Sequence, residues 1–200
     1  NPNEIWLTTL KALKKVIKKA SLLKGKILSI GITNQRETTI LWNKKTGKPI
    51  YNAIVWQDRR TQEFCEKLKQ KKYEKIFRRK TGLFIDPYFS ATKIKWILEN
   101  VKISKKLQKS NNLLFGTVDT FLIWKLTNGQ HHLTDATNAS RTMLFNIHDN
   151  KWDKEILKKL NISKSILPDV KNSADNFGIT NKKIVGYEIP ISAVLGDQQA

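Results

Sequence analysis

Two adjacent residues, Arg36 and Glu37, are the side chains best placed to bind a ligand. They lie between two apolar runs that are predicted to be β-strands, Lys26–Ile32 and Thr38–Trp42. An arginine offers a fork of donors and a glutamate offers a carboxylate acceptor, so the pair suits a neutral ligand with adjacent hydroxyl groups. Because neighbouring side chains in a strand point to opposite faces, both can serve one ligand only if the backbone bends there. The alternative is a charged hairpin end that faces water.

A second candidate is Asp197, which follows Gly196 at the end of the predicted strand Ile189–Leu195. Open α/β folds bind ligands at the carboxyl ends of their strands, and the glycine allows the backbone to approach a ligand closely. A carboxylate at this place is suited to accept the proton of a hydroxyl group as a general base. The alternative is that Asp197 caps a following helix.

The elements that must position these residues are mixed helices and strands, which indicate an α/β or α+β fold in a single domain without internal repeats. The predicted helices cover residues 4–24, 61–80, 91–100, 119–126 and 152–160. The predicted strands cover residues 26–32, 38–42, 49–56, 112–115, 130–133, 143–145 and 189–195, and residues 134–141 are a predicted loop. Asn3, Ser90 and Asp119 are the predicted helix N-caps.

The net charge of +20 raises the question of nucleic acid. Only six of the 37 basic residues are arginine, and the lysines are scattered along amphipathic segments, with no repeating pattern of aromatic residues between them. A solvated protein face therefore accounts for them better, and a basic nucleic-acid-binding module remains as the alternative from another functional class.

Cysteine and histidine usage adds little chemistry. Cys65 is the only cysteine, so the chain forms no internal disulfide, and we expect a buried structural thiol in a reducing compartment. No apolar run approaches the roughly 20 residues that span a bilayer, so the predicted location is the cytoplasm. His131 and His132 are adjacent in a predicted strand and face opposite ways, which argues against a metal site.

Several motifs together resemble the FGGY family of carbohydrate kinases, and within it the members that phosphorylate glycerol. The resemblance covers nearly the whole chain. Its motifs lie at Asn34–Thr39, Ala53–Arg60, Asp86–Ser90, Phe115–Thr120, Thr137–Thr142 and Gly196–Ala200. In addition, the thirteen residues Tyr88–Asn100 resemble the first signature of the family.

The resemblance implies a ribonuclease H-like, actin-type α/β domain that binds the substrate of a two-domain kinase. That kinase would transfer the γ-phosphoryl group of ATP, with Mg²⁺, to glycerol. The matching positions assign polyol binding to Arg36, Glu37, Trp56, Tyr88, Asp197 and Gln198, and the role of catalytic base to Asp197. The full-length protein is expected to be a homo-oligomer.

The resemblance also implies a domain truncated at both ends, with a phosphate hairpin upstream and much of the adenosine pocket downstream. Residues 1–200 alone are therefore expected to be inactive, and the residues that bind ATP stay unknown. The closest glycines are six positions apart, which excludes both common glycine-rich phosphate loops. The segment Asn181–Glu188 has one glycine and no arginine, so inhibition by fructose 1,6-bisphosphate, known for some members, is not expected. A kinase for another polyol or a pentulose, and a non-catalytic relative, remain as alternatives.

Overall fold

The computed structural model describes residues 1–200 and shows helices interleaved with short strands. The α-helices are α1 (Pro2–Leu22), α2 (Gln62–Gln70), α3 (Glu74–Thr81), α4 (Ser90–Asn100), α5 (Lys102–Lys109), α6 (Val118–Leu126), α7 (Ala136–Ala139), α8 (Lys154–Leu160) and α9 (Lys182–Val185). The strands are β1 (Ile30–Asn34), β2 (Ile40–Asn43), β3 (Leu113–Gly116), β4 (Leu133–Asp135), β5 (Phe145–Asn146), β6 (Lys151–Trp152), β7 (Asp169–Lys171) and β8 (Ile191–Gly196). Two 3₁₀ turns cover Ser140–Thr142 and Lys164–Ile166.

The strands form four pairs, and the pairing of β1 with β8 joins the two ends of the chain. These strands run parallel, with Asn34 opposite Gly196 at their carboxyl ends. Strand β4 is also parallel to β7, while β2 pairs with β3 and β5 with β6 in antiparallel fashion. The parallel β1–β8 register therefore brings the segments after Asn34 and after Gly196 to the same edge.

Helix α1 begins earlier than predicted, and its predicted cap, Asn3, is wrong. The side-chain oxygen of Asn1 accepts a hydrogen bond from the backbone N–H of Asn3, and Pro2 occupies the first turn. Proline suits that position because its missing N–H would have had no partner within the helix.

The other two predicted caps are also wrong, since each side chain makes its hydrogen bonds to residues outside its helix. The hydroxyl of Ser90, the first residue of α4, donates to the carbonyl of Glu37 at 3.1 Å. Asp119 lies in the first turn of α6, where its carboxylate accepts hydrogen bonds from the hydroxyls of Thr117 and Thr134. Ser90 thus connects α4 to the segment that follows β1, and Asp119 connects α6 to β4.

The predictions for residues 49–56 and 134–141 are corrected as well. The first segment is no strand and makes only two isolated bridges, Thr39 with Ile54 and Trp42 with Pro49. A proline there lacks the N–H that a ladder needs. The predicted loop 134–141 instead contains the end of β4, α7 and a 3₁₀ turn. The predicted long helix 61–80 is two helices, α2 and α3, and the sequence did not predict α5.

The hydrophobic core has three parts. The largest part lies around Ile94, Phe115 and Phe145 and includes Cys65. The second part includes Ile32 of β1 and Val194 of β8. The third part surrounds Trp42. Cys65 is buried, as predicted, and burial raises the pKa of its thiol to about 11. None of the helices has both the length and the apolar character that crossing a membrane requires.

Candidate functional site

The backbone bends sharply at Glu37, as joint use of Arg36 and Glu37 requires. Glu37 has a φ of 62°, and the N–H of Thr38 donates to the carbonyl of Arg36 at 2.7 Å. Left-handed backbone is uncommon outside glycine, asparagine and aspartate and often marks a functional constraint. The bend sends the two charged side chains to different partners at one end of β1.

Arg36 meets the segment that follows β8. One terminal nitrogen of its guanidinium donates to the side-chain oxygen of Gln198 at 2.8 Å, and its Nε lies 3.7 Å from Oδ1 of Asp197. The N–H of Asp197 donates to the carbonyl of Asn34 at 3.0 Å, which fixes this arrangement to the strand pair. Arg36 is 6% exposed and its Nε has no hydrogen-bond partner, whereas half of the Asp197 side chain is exposed. The group therefore presents an accessible carboxylate beside a buried, incompletely bonded cation.

Gly196 leaves the space that the Arg36 side chain occupies. A Cβ atom on Gly196 would lie 2.3 Å from Cδ of Arg36, which no real contact allows. The sequence predicts that this glycine lets the backbone approach a ligand closely, which stays a prediction; the structure shows that it also makes room for the Arg36 side chain.

Glu37 is held from the opposite side by Arg141, which follows α7. The Nε of Arg141 donates to Oε1 of Glu37 at 2.7 Å, and Glu37 is 2% exposed. The Arg141 guanidinium also lies 5.0 Å from the ring centroid of Phe89 and 5.7 Å from that of Tyr88, within cation–π range. Arg141 lies inside a motif that the sequence singled out, but it was given no role there. Arginine is rare in this lysine-rich chain, and this was the sequence signal that could have pointed to a role for Arg141.

The ring of Tyr88 lies beside this ion pair, and the ring of Trp56 packs against that of Tyr88. The rings of Trp56 and Tyr88 are 5.6 Å apart between centroids, and both residues are partly buried. Such a pair can cover the C–H groups of a bound polyol. The six predicted substrate-binding residues thus form two groups. The first is Arg36 with Asp197 and Gln198. The second is Glu37 with Tyr88 and Trp56, which are connected through Arg141: its guanidinium lies over the Tyr88 ring, and Trp56 packs against Tyr88.

A buried network of polar side chains supports the strand ends. The amide of Asn34 donates to Asn138 at 3.0 Å, and the amide of Asn138 donates to Asp135 at 2.8 Å. The other oxygen of Asp135 accepts from the hydroxyl of Thr137, which itself accepts from the N–H of Gly196 at 2.8 Å. The side-chain oxygen of Asn34 has no hydrogen-bond partner, but the other bonds connect Asn34 of β1 to the N–H of Gly196 in β8, so the network supports the register of the two strands.

Asp119 is a buried carboxyl group next to this network, and its protonation makes the stability of the folded protein depend on pH. Burial raises the pKa of its carboxyl from 3.8 to about 6, against the opposing effect of its two threonine donors. The folded state therefore binds the proton more tightly than the unfolded state, so the stability from this group is present below pH 4 and is lost as pH rises through 6.

The Asp119→Asn variant is expected to remove this pH dependence. We expect its unfolding free energy, relative to the wild-type protein, to increase by about 3 kcal/mol between pH 4 and pH 7, since each pKa unit corresponds to about 1.4 kcal/mol. Urea unfolding at several pH values measures the difference. A constant difference across this range would contradict the assignment.

The site is an open surface, because Asp197 and Gln198 are exposed. The largest of the main cavities, about 600 Å³, is lined by Trp6, Lys44 and Trp124 and lies elsewhere. No group of three or more histidine, cysteine, aspartate or glutamate side chains is arranged to hold a metal ion. His132 instead makes a hydrogen bond to the carbonyl of Phe115 at 2.7 Å.

Comparison with known proteins gives one consistent result. The model of the N-terminal domain of the FGGY family of carbohydrate kinases matches residues 1–200. The glycerol kinases of Thermoanaerobacter sp. (strain X514) and Petrotoga mobilis are 58% and 54% identical to the chain over 200 residues. The match covers all of the chain and 40% of each relative, so the chain spans less than half of their length.

A solved structure agrees with these sequence matches. The crystal structure of Plasmodium falciparum glycerol kinase with ADP superposes with a TM-score of 0.93 at 39% identity. The superposition covers 99% of the chain and 40% of the Plasmodium protein.

Proposed function

Because the chain belongs to the FGGY family of carbohydrate kinases, we propose that it forms the polyol-binding part of an enzyme that phosphorylates glycerol with ATP. Family membership confirms the predicted α/β fold of the ribonuclease H-like, actin type. The product would be sn-glycerol 3-phosphate. The proposal rests on one observation: at the carboxyl ends of β1 and β8, Arg36 contacts both Asp197 and Gln198.

Glycerol fits the two groups of side chains by its chemistry. Glu37 and Asp197 accept hydrogen bonds from hydroxyls, Arg36 donates to the same oxygens, and the rings of Trp56 and Tyr88 cover the carbon chain. A site that pairs each hydroxyl discriminates against analogues that lack one, because its own buried polar groups are then left unpaired. Glu37 is the buried acceptor in this arrangement, and Arg141 fixes its carboxylate.

The transfer step needs an acceptor for the hydroxyl proton. As the glycerol oxygen bonds to the γ-phosphorus, the bond between that phosphorus and the β,γ-bridging oxygen breaks and ADP leaves. The proton of the attacking hydroxyl passes to the carboxylate of Asp197. The exposure of Asp197 supports this role, because a reacting group can reach it from solvent.

Mg²⁺ would supply charge neutralisation of the ATP phosphates. Asp197 is the acidic group of the site that is open to such a complex, whereas Glu37 is buried and paired with Arg141. We propose that the metal arrives bound to the nucleotide and that residues outside this open surface hold the adenosine. The cytoplasmic location and the homo-oligomeric state stay predictions.

A coupled ADP-release assay on the full-length protein that contains residues 1–200 tests the proposal. We expect turnover with glycerol, little with ketopentoses or other polyols, and about 10⁴-fold lower kcat/KM with propane-1,2-diol, which lacks one hydroxyl. Residues 1–200 alone are expected to show no turnover. Preference for a pentulose would identify a different kinase of the family, and silence on every substrate would favour a non-catalytic relative.

A further inference from the structure

Lys93 is a charged side chain in a place that normally excludes one. It lies in α4 and is completely buried. Burying an ammonium group costs several kcal/mol unless hydrogen bonds and charges compensate for the lost water. Its retention in the core therefore calls for a specific role.

The hydrogen bonds of Lys93 lead to the two loops that carry the aromatic residues of the site. Its Nζ donates to the carbonyl of Tyr88 at 2.7 Å and to the carbonyl of Val55, the residue before Trp56, at 3.4 Å. No backbone hydrogen bond joins these loops directly. The one other polar link between them is the solvent-exposed ion pair of Arg59 with Asp86.

The charge of Lys93 is not neutralised by a direct ion pair. No carboxylate lies within 4 Å of its Nζ, and burial lowers the pKa of this ammonium to about 8 although Glu37, Asp58 and Asp86 act in the opposite direction. A group present only to neutralise charge would contact a carboxylate. Lys93 instead donates its hydrogen bonds to two backbone carbonyls.

We propose that Lys93 is a positioning residue, which holds the Trp56 and Tyr88 loops at the separation that lets both rings cover the substrate. It does not touch the substrate itself. This inference deepens the proposed polyol site and rests on it. A methionine of similar length would fill the same space but would leave the Tyr88 carbonyl without its Lys93 donor and the Val55 carbonyl with only the N–H of Asp58.

The kinetic test compares Lys93→Met, Lys93→Arg and the control Lys95→Met in the full-length protein. Lys95 lies on the same helix, and its ion pair is with Glu99, away from the site. We expect Lys93→Met to raise the KM for glycerol at least tenfold with kcat changed less than threefold and the KM for ATP unchanged. Lys93→Arg should restore part of the glycerol affinity, and Lys95→Met should resemble the wild-type protein.

A second measurement does not depend on substrate. In hydrogen exchange of the same proteins, peptides that cover residues 53–58 and 85–90 should exchange at least fivefold faster in Lys93→Met, with β2 and β3 unchanged. If Lys93→Met does not fold, Lys93→Gln, whose shorter amide carries no charge, takes its place in this measurement. Unchanged exchange in both loops, or an equal rise of the KM values for glycerol and ATP, would overturn the proposal. If the wild-type protein does not phosphorylate glycerol but Lys93→Met still exchanges faster than the wild-type protein in both loops, only the proposed substrate is refuted.

Discussion

The Asp197→Asn variant of the full-length protein is expected to lose between about 10²- and 10⁴-fold in kcat for glycerol phosphorylation. Asparagine has nearly the shape of aspartate but cannot accept the proton of the attacking hydroxyl. The Asp197 side chain is half exposed and its ion pair with the buried Arg36 guanidinium is long, at 3.7 Å, while Arg36 keeps its hydrogen bond to Gln198 when Asp197 is replaced. We therefore expect little change in thermal stability and a KM for glycerol within about tenfold of the wild-type value.

A matched control separates loss of the base from loss of a negative charge. Asp169 is likewise an exposed aspartate on a parallel strand, β7, and its removal changes the net charge by the same amount. Asp169→Asn is expected to keep the wild-type kcat in the coupled ADP-release assay. If Asp197→Asn retained more than a tenth of the wild-type kcat, the catalytic base would have to be another group.

The sequence indicates which residues belong in a candidate site, but it does not indicate how the fold brings them together. The residue pattern indicates Arg36 and Asp197, and the motif resemblance adds Gln198; the structure places the three together, while their roles in binding stay predictions. The pairing of β1 with β8, which brings them together, was not predicted. Local periodicity reports which residues form a strand but carries no information about a parallel partner at the other end of the chain.

The second source of error is the prediction of helix N-caps, because two of the predicted capping side chains make hydrogen bonds elsewhere. Ser90 stands at the start of a helix, where a hydroxyl is typical of an N-cap, but it binds the carbonyl of Glu37. Asp119 similarly binds threonine hydroxyls of neighbouring segments. In both cases a tertiary hydrogen bond replaced the local one, and sequence spacing cannot distinguish the two outcomes.

The missed role of Arg141 leads to the second large prediction, for Arg141→Met. This change leaves the Glu37 carboxylate, which is 2% exposed, without its 2.7 Å partner. Removing one member of a buried ion pair typically costs about 3–5 kcal/mol. Because the Arg141 side chain is 29% exposed, we expect the lower end, about 3 kcal/mol, and a Tm lower by roughly 6–12 °C. The KM for glycerol should rise at least about a hundredfold, because the freed carboxylate no longer has a fixed orientation.

The double variant Glu37→Gln/Arg141→Met separates stability from binding. Glutamine carries no charge, so the double variant is expected to recover most of the lost Tm while its glycerol KM stays high. Arg79→Met removes an exposed arginine and serves as the control, with Tm and KM unchanged. Differential scanning calorimetry and steady-state kinetics on the full-length proteins measure both quantities. Equal Tm values for Arg141→Met and the double variant would show that the unpaired Glu37 charge is not the source of the instability. Recovery of glycerol affinity in the double variant would show that the Glu37 carboxylate is not the acceptor for the polyol.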